Sequence, residues 1–205
     1  MLPDYWSQAT SDLSRHDEVM AGLVERYAGV SLVSRGDAFA TLARSIIGQQ
    51  ISVKAADAVW GRFAALVGVL TPARVVELGE SGLAGCGLSR RKIEYLSDLA
   101  GHFSSGRLEP SAWARLDDEA IIAELTAVRG IGRWTAEMFL IFHQLRPDVF
   151  PLDDIGLQRA VFERYFGGEK QSRRALAEFG ERWRPWRSVA TWYLWRSLDP
   201  VPVEY

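Results

Sequence analysis

VRGIGRWTAEMF, residues 128–139, places two glycines around one isoleucine, directly before what reads as a helix. A dinucleotide-binding loop would need a preceding strand and a third glycine three residues on. The preceding IIAELTAV (121–128) has helical periodicity instead, and position 135 is Thr135, so that interpretation is excluded. Two interpretations remain open: an ordinary tight turn between helices, in which glycine supplies a positive φ, and a helix-hairpin-helix that binds a ligand.

In the helix-hairpin-helix interpretation, the glycines let a ligand approach the backbone. Gly130 and Gly132 carry no side chains that would intervene, and the amides around Gly130, Gly132 and Thr135 would point outward at the N-terminus of the next helix. Such amides attract anions, phosphate above all, and Arg133 would add a positive charge. The apolar residues that would pack the hairpin are Leu125, Val128 and Ile131.

The composition is that of an ordinary globular protein. The chain has 205 residues, 48% of them hydrophobic, and a net charge of -2. The single cysteine, Cys86, excludes an intramolecular disulfide and any iron–sulfur site built on cysteines. Residues 182–196 hold four arginines and no acid, which indicates a basic face late in the chain.

Helical periodicity dominates the sequence, and it predicts an all-α fold. Three helix starts are well marked, by Thr71-Pro72, by Ser89 and by Asp117. The other predicted helices span about 11–28, 37–48, 53–67, 133–145, 156–166, 172–182 and 186–198.

Five segments, in this order along the chain, carry a more specific pattern than the hairpin alone. They are SIIGQQIS (45–52), GLSRRKIEYLSDLA (87–100), LTAVRGIGRWTAEMF (125–139), FPLDDIGLQRA (150–160) and ERWRPWRSVATWYLW (181–195). In these segments the sequence resembles the helix-hairpin-helix DNA glycosylases, and most closely the 3-methyladenine DNA glycosylase II group. The resemblance covers about residues 38–198.

The resemblance implies two helical lobes, with the helix-hairpin-helix motif flanking a central DNA-binding cleft. The expected organisation is a single unit over 1–205, with lobes of about 37–110 and 115–170 completed by the N- and C-terminal helices. Longer relatives carry an N-terminal β-rich domain, and this chain is expected to lack it.

Asp153 and Asp154 open a predicted helix, where a carboxylate can simply cap the helix. The alternative is that one carboxylate faces the substrate. The resemblance implies that Asp154, followed by Ile155-Gly156-Leu157, is catalytic. A lone carboxylate suits this reaction, because cleavage of an N-glycosidic bond builds positive charge on the deoxyribose, and a fixed anion stabilises that charge.

Trp134 stands where the family's bifunctional members have a lysine that attacks the sugar. Tryptophan cannot form a Schiff base, so the resemblance implies base release without a lyase step. Trp134 could be a core residue, but the family places an aromatic side chain here against the flipped base. Trp195 matches a second tryptophan of that pocket, and Met138 stands where some relatives have tyrosine. Trp183, Trp186 and Trp192 are expected in the core.

The remaining expectations concern the DNA and a cation. Gln50 is either a polar loop residue or, by resemblance, the wedge that fills the gap left by the flipped base. No cofactor is expected to be required. By resemblance alone, a monovalent cation (Na⁺ or K⁺) could be held by the main-chain carbonyls of Thr126, Val128 and Gly130.

The resemblance thus implies a monofunctional DNA glycosylase of base excision repair, which removes alkylated purines such as 3-methyladenine and leaves an abasic site. Two alternatives stay open: a glycosylase for deaminated or oxidised bases, and a non-catalytic helix-hairpin-helix module that only binds DNA. The expected partner is double-stranded DNA containing damaged bases. The chain is expected to be a monomer in the cytoplasm, associated with the nucleoid through DNA, with no membrane contact.

Overall fold

The computed structural model describes residues 3–34 and 36–198, which form eleven α-helices, two 3-10 helices and no β-strand. The predicted all-α class is confirmed. The α-helices are α1 (Trp6–His16), α2 (Glu18–Arg26), α3 (Ala38–Gly48), α4 (Val53–Val67), α5 (Pro72–Leu83), α6 (Arg90–Ser104), α7 (Asp118–Thr126), α8 (Arg133–Phe142), α9 (Ile155–Tyr165), α10 (Arg173–Gly180) and α11 (Arg187–Leu198). The 3-10 helices are Pro110–Arg115 and Glu181–Trp183.

Side-chain caps begin the helices where the sequence predicts them. The hydroxyl groups of Thr71 and Ser89 accept hydrogen bonds from the amides of Arg74 and Lys92, and the carboxylate of Asp117 accepts one from Ala120. Each cap satisfies an amide that has no acceptor within its own helix. These three predicted starts are confirmed.

The chain divides into two compact units. The terminal unit combines Met1–Ser34 with Leu140–Tyr205, and the central unit is Arg35–Phe139. The boundary falls within α8, between Phe139 and Leu140.

The terminal unit is built around α11. Every residue of α11 from Ser188 to Leu194 is buried, so this helix has no solvent-facing side over that stretch, and it packs against α1, α2 and α9. Trp183 and Trp192 are buried, which confirms that they belong to the core. Trp186 is half-buried and stacks on Tyr5.

The predicted helix 11–28 is wrong, because the chain forms two helices that are broken at Asp17. Asp17 has an extended backbone (φ -147°, ψ 111°), and its side chain caps α2 by accepting from the amide of Met20. The same carboxylate accepts hydrogen bonds from the hydroxyl of Tyr165 and from Nε1 of Trp183. These long-range partners, invisible in the local pattern, favour the break.

The central unit packs α6 against α3 and α5, and α3 against α4. Its largest fully buried side chains include Phe39, Phe63 and Trp113. Trp113 contacts Phe139 edge-on, and its Nε1 donates to Glu124 at 2.8 Å. The buried indole therefore satisfies its one donor while it fills the core.

Among the residues that the structure describes, no single helix is long and apolar enough to cross a membrane. By length and composition only, α4 and α5 pass as a pair, with a bend of 102° between them.

We predict that Asp17→Ala lowers the free energy of unfolding by about 3 kcal/mol. The substitution removes a helix cap and leaves two partly buried donors, on Tyr165 and Trp183, without their acceptor. Urea unfolding followed by circular dichroism measures the change. As a control, Ser172→Ala removes only the cap of α10 and should cost about 1 kcal/mol. Equal losses of stability in the two variants would contradict a stabilising role for the hydrogen bonds from Tyr165 and Trp183 to Asp17.

Candidate active site

Asp154 is the N-cap of α9, and its side chain is held from two sides. Its Oδ1 accepts a hydrogen bond from the amide of Leu157 at 2.6 Å and another from Nε1 of Trp195 at 2.8 Å. Only 8% of the residue is exposed. Asp154 therefore caps the helix, which was one of the two interpretations left open by the sequence, and Trp195 supplies a second donor to the same oxygen.

Two residues that sequence reasoning did not place in the site support this pair. Phe142 stacks on Trp195, with ring centroids 5.7 Å apart and planes 12° from parallel. A Cβ atom at Gly156 would lie 3.2 Å from Oδ1 of Asp154 and 3.3 Å from Cδ1 of Trp195. Glycine at 156 therefore leaves the room in which the carboxylate and the indole meet. The only signal in the sequence was that Gly156 stands two residues after the aspartate.

The carboxylate of the neighbouring Asp153 differs from that of Asp154 in its exposure and in its partner. The side chain of Asp153 is 61% exposed, and it pairs with Arg173, at 3.0 Å from Nε to Oδ1. Of the two adjacent acids, only Asp154 is buried against aromatic side chains.

The arginines of the predicted basic face at 182–196 have partners inside the terminal unit, and two of the four form ion pairs. Arg184 and Arg187 both pair with Asp148 and Glu181, at 2.7 to 3.1 Å. The other two lie over aromatic rings, Arg182 over Phe179 and Arg196 over Trp192. Asp148 and Glu181, both outside the stretch, therefore offset two of its four positive charges.

The glycine motif forms a tight hairpin in the central unit, between α7 and α8. Leu125, Val128 and Ile131 are buried, as predicted, and the amides of Val128 and Ile131 each bond to the carbonyl three residues back. Gly130 has a φ of +86°, and a Cβ atom there would overlap the ring of Tyr95. Both the backbone and the packing therefore require glycine at position 130.

Gly132 is different, because nothing in the described part of the chain requires a glycine there. Its φ is not in the left-handed region, and a Cβ atom would meet no described atom within 4 Å. Its carbonyl accepts from the amide of Ala136, so it is the residue from which α8 starts. The surface at Gly132 is open to whatever approaches the start of α8.

The first turns of α8 carry three further residues that the sequence singled out. Trp134 is 36% exposed, so the alternative that it is a core residue is wrong. Thr135 and Met138 are buried.

Arg133 is held by carboxylates within the central unit. Its NH1 lies 2.9 Å from Oε2 of Glu119, and its Nε lies 3.0 Å from Oε1 of Glu137. The hydrogen bond to Glu119 is the main cause that raises the pKa of Arg133 above its ordinary value, and the same bond lowers the pKa of Glu119. An incoming phosphate would share this guanidinium with Glu119.

Gln50 lies at the tip of the turn between α3 and α4, exposed and with a φ of +60°. Its neighbour Gln49 donates from Nε2 to the carbonyl of Gly130 at 2.8 Å. The carbonyl of Val128 accepts from the amide of Ile131. Two of the three carbonyls proposed for a cation thus already have a donor inside the protein. No cluster of three or more His, Cys, Asp or Glu that could hold a metal occurs in the described ranges.

Residues 43–185 match the model of the HhH-GPD superfamily of base excision DNA repair proteins. The chain belongs to the HhH-GPD superfamily. This membership confirms the family and the repair class that the sequence motifs implied. The matched residues include the hairpin and Asp154.

Relatives within the HhH-GPD superfamily share one kind of name. The crystal structure of a DNA-3-methyladenine glycosidase from Bacillus halodurans is 35% identical, with a TM-score of 0.86 over 93% of this chain and 89% of the other. A 3-methyladenine DNA glycosylase from Schizosaccharomyces pombe, solved with abasic DNA, is 30% identical, with a TM-score of 0.77 over 97% and 98%. A DNA-3-methyladenine glycosylase of Bacillus subtilis is 27% identical over 199 residues, which are 91% of this chain and 66% of the relative.

The residues that the sequence predicted for the site are divided between the two units of the chain. Asp154 and Trp195 meet within the terminal unit. The residues of the central unit are Gln50, the hairpin, Trp134 and Met138. Sequence reasoning missed Phe142 and Gly156 in the first group, and Gln49 and Tyr95 in the second.

We predict that alanine destabilises the fold at one hairpin glycine and has little effect on stability at the other. Gly130→Ala should lower the free energy of unfolding by about 3 kcal/mol, because it combines a left-handed backbone with overlap on Tyr95. Gly132→Ala should change it by no more than about 0.5 kcal/mol, because the poorer cap opposes the gain from a stiffer unfolded chain. Urea unfolding checks both. A large loss in Gly132→Ala would show that the fold itself needs this glycine.

Proposed function

We propose that this protein is a monofunctional DNA glycosylase that hydrolyses the N-glycosidic bond of alkylated purines, such as 3-methyladenine, and leaves an abasic site. The names of the relatives support the substrate class, and the relative solved with abasic DNA supports the product. The observation that carries the proposal is Asp154, a buried carboxylate whose Oδ1 is held by Trp195 and by the amide of Leu157.

A carboxylate held in this way can stabilise the charge that the reaction builds. At about 4 Å and an effective dielectric constant of about 20, an anion and a cation attract each other by about 4 kcal/mol. Expressed only in the transition state, this is roughly a thousandfold in rate. The hydrogen bonds fix the carboxylate before the reaction begins, so little reorganisation is needed when the sugar becomes positive.

The chemistry balances without a strong acid. The bond between the sugar C1′ and the base nitrogen breaks, and its electron pair goes to the base, so a base that alkylation has made cationic leaves neutral. Water then adds to C1′ and loses a proton, which the carboxylate of Asp154 would accept. The products are the free base and an abasic site.

The base itself would be held by aromatic surface after it leaves the duplex, a step that costs a few kcal/mol. Trp134 exposes its indole on the first turn of α8, and a cationic base over that face would gain about 0.5–2 kcal/mol. Met138, four residues after Trp134 on α8, would contact the base beside it. In the terminal unit, Trp195 is the second tryptophan proposed for substrate binding. Because only a cationic base gains this cation–π attraction, an exposed indole face favours alkylated purines over neutral bases.

The hairpin would bind the DNA backbone. The amides at Gly130, Gly132 and Thr135 stand at the positive end of the α8 dipole, and the open surface at Gly132 admits a phosphate oxygen. Arg133 adds charge that it shares with Glu119. A monovalent cation on the carbonyls of Thr126, Val128 and Gly130 remains part of the proposal, through the oxygen lone pairs that internal donors leave.

The absence of a lyase step rests on Trp134, which offers no amine. The chain has three lysines, Lys54, Lys92 and Lys170. Burial lowers the pKa of Lys92, and its amine donates to the carbonyl of Ile47 at 2.7 Å. That ammonium group therefore anchors the end of α3.

The remaining parts of the proposal concern where and how the protein works. It would act as a monomer on double-stranded DNA that contains damaged bases, in the cytoplasm and at the nucleoid. Wedge insertion by Gln50 would fill the gap that the extruded base leaves, and the exposure and backbone conformation of Gln50 support that role.

We predict that Asp154→Asn abolishes base release, with a loss of about a thousandfold, while the fold stays intact. Asparagine can still accept from Leu157 and Trp195 through its Oδ1, so the substitution keeps both hydrogen bonds while it removes the negative charge. The test incubates the protein with methylated duplex DNA and identifies the freed bases by chromatography. The matched control is Asp153→Asn, whose exposed carboxylate pairs with Arg173 and should be dispensable.

The same reaction separates the alternatives. Methylpurines released by the wild type with uncut abasic sites support a monofunctional enzyme, and strand nicking contradicts it. Release of deaminated or oxidised bases instead would change the substrate class. Binding without release from any of these duplexes would mean a DNA-binding module.

We predict that Trp195→Phe slows base release by roughly ten- to a hundredfold, the kinetic equivalent of losing a hydrogen bond to a charged group. Phenylalanine keeps the stacking on Phe142 but has no N–H for Asp154. Combined with Asp154→Asn, the substitution should cost little more, because both act on one carboxylate. Additive losses in the double variant would assign Trp195 a role independent of Asp154.

A further inference from the structure

A single side chain joins the hairpin to the turn that carries Gln50. That turn, residues 48–52, is here named the 48–52 loop. Gln49 ends α3, is half-buried, and donates from Nε2 to the carbonyl of Gly130 at 2.8 Å. The partners are 81 residues apart in sequence. Both lie within the central unit, so the contact belongs to one compact body.

Helix α6 supports the same two segments from one side. Lys92 donates to the carbonyl of Ile47, immediately before the 48–52 loop, and Asp98 accepts from the amide of Arg129, immediately before Gly130. Between them, the ring of Tyr95 occupies the space beside Gly130. Residues three positions apart are neighbours on a helix surface, so Lys92, Tyr95 and Asp98 follow one another along α6 and hold both segments.

The backbone of Gln50 indicates why the anchoring matters. A φ of +60° is a conformation that residues with side chains rarely adopt, and it persists only where the surroundings hold the chain in place. Gln50 is exposed at the tip, so its own side chain does not supply that restraint. The neighbouring anchors are Gln49 and, through Ile47, Lys92.

We propose that Gln49 is a positioning residue, whose amide fixes Gln50 relative to the hairpin so that a DNA backbone held at the hairpin determines where Gln50 enters the duplex. The inference rests on the proposed function, since it assigns DNA to both segments. A glutamine amide suits the task because it donates to a carbonyl without adding charge.

The test compares two substitutions of nearly unchanged size. Gln49→Met removes the donor, and Gln49→Glu replaces it with an acceptor that repels the carbonyl of Gly130. The matched control is Gln171→Met, which removes another amide-to-carbonyl hydrogen bond, to Glu169, at an exposed site in the terminal unit. Each protein is mixed with a methylated duplex in single-turnover base release. In parallel, each is bound to a duplex that carries 2-aminopurine beside an abasic-site analogue, where fluorescence reports unstacking.

We expect both Gln49 variants to slow base release by about tenfold to a hundredfold, because a displacement of about 1 Å away from the reacting atoms can cost this much. The fluorescence rise should shrink in parallel, while affinity for the abasic duplex changes little because the hairpin amides are intact. Combining Gln49→Met with Gln50→Ala should cost no more than Gln50→Ala alone. The Gln171→Met control should match the wild type in all three measurements.

Wild-type release and fluorescence in Gln49→Met would overturn the proposal. So would a lowered melting temperature with an unchanged rate, measured at a temperature where circular dichroism shows every variant folded, since that is the signature of a stabilising role alone. If the wild type releases no base, the proposed function fails. The fluorescence comparison then still decides whether Gln49 directs the distortion of DNA.

Discussion

The start of α9 needs a hydrogen-bond acceptor, and Asp154 supplies it with an oxygen that Trp195 also binds. An amide at a helix N-terminus stabilises negative charge, so the position tolerates a buried carboxylate that would otherwise be costly. The stacking of Phe142 on Trp195 and the small residue Gly156 then keep the carboxylate in one orientation. Stability and proposed catalysis therefore depend on one hydrogen-bonded group.

Local rules predicted the parts of the fold that depend on local chemistry. Thr71, Ser89 and Asp117 begin their helices because each cap acts within three residues of its own position. The core of the hairpin could also be predicted, since Leu125 and Ile131 are apolar residues close to the two glycines, and both are buried. Family motifs added the assignment of function, which neither periodicity nor composition could have supplied.

The errors arose where distant residues decide the outcome. The predicted helix 11–28 is periodic throughout, yet it breaks at Asp17. The carboxylate of Asp17 accepts hydrogen bonds from Tyr165 and Trp183, which are 148 and 166 residues away in sequence. The roles of Gln49 and Tyr95 could not be predicted for the same reason, because both residues contact Gly130, which is distant in sequence. The sequence could predict that the hairpin needs glycine, but it could not show that the fold requires Gly130 and not Gly132.

The distribution of charge explains how a chain of net charge -2 can be suited to a polyanion. Arg184 and Arg187 are neutralised by Asp148 and Glu181, so the arginine-rich segment serves the fold of the terminal unit. At the hairpin, backbone amides and the dipole of α8 would meet the phosphates instead. Lysine and arginine side chains displace counterions from DNA when they neutralise its phosphates, whereas uncharged amides do not. Binding through amides is therefore less sensitive to salt. Binding of this kind would depend on close approach of DNA to the backbone at Gly132 more than on long-range electrostatic attraction.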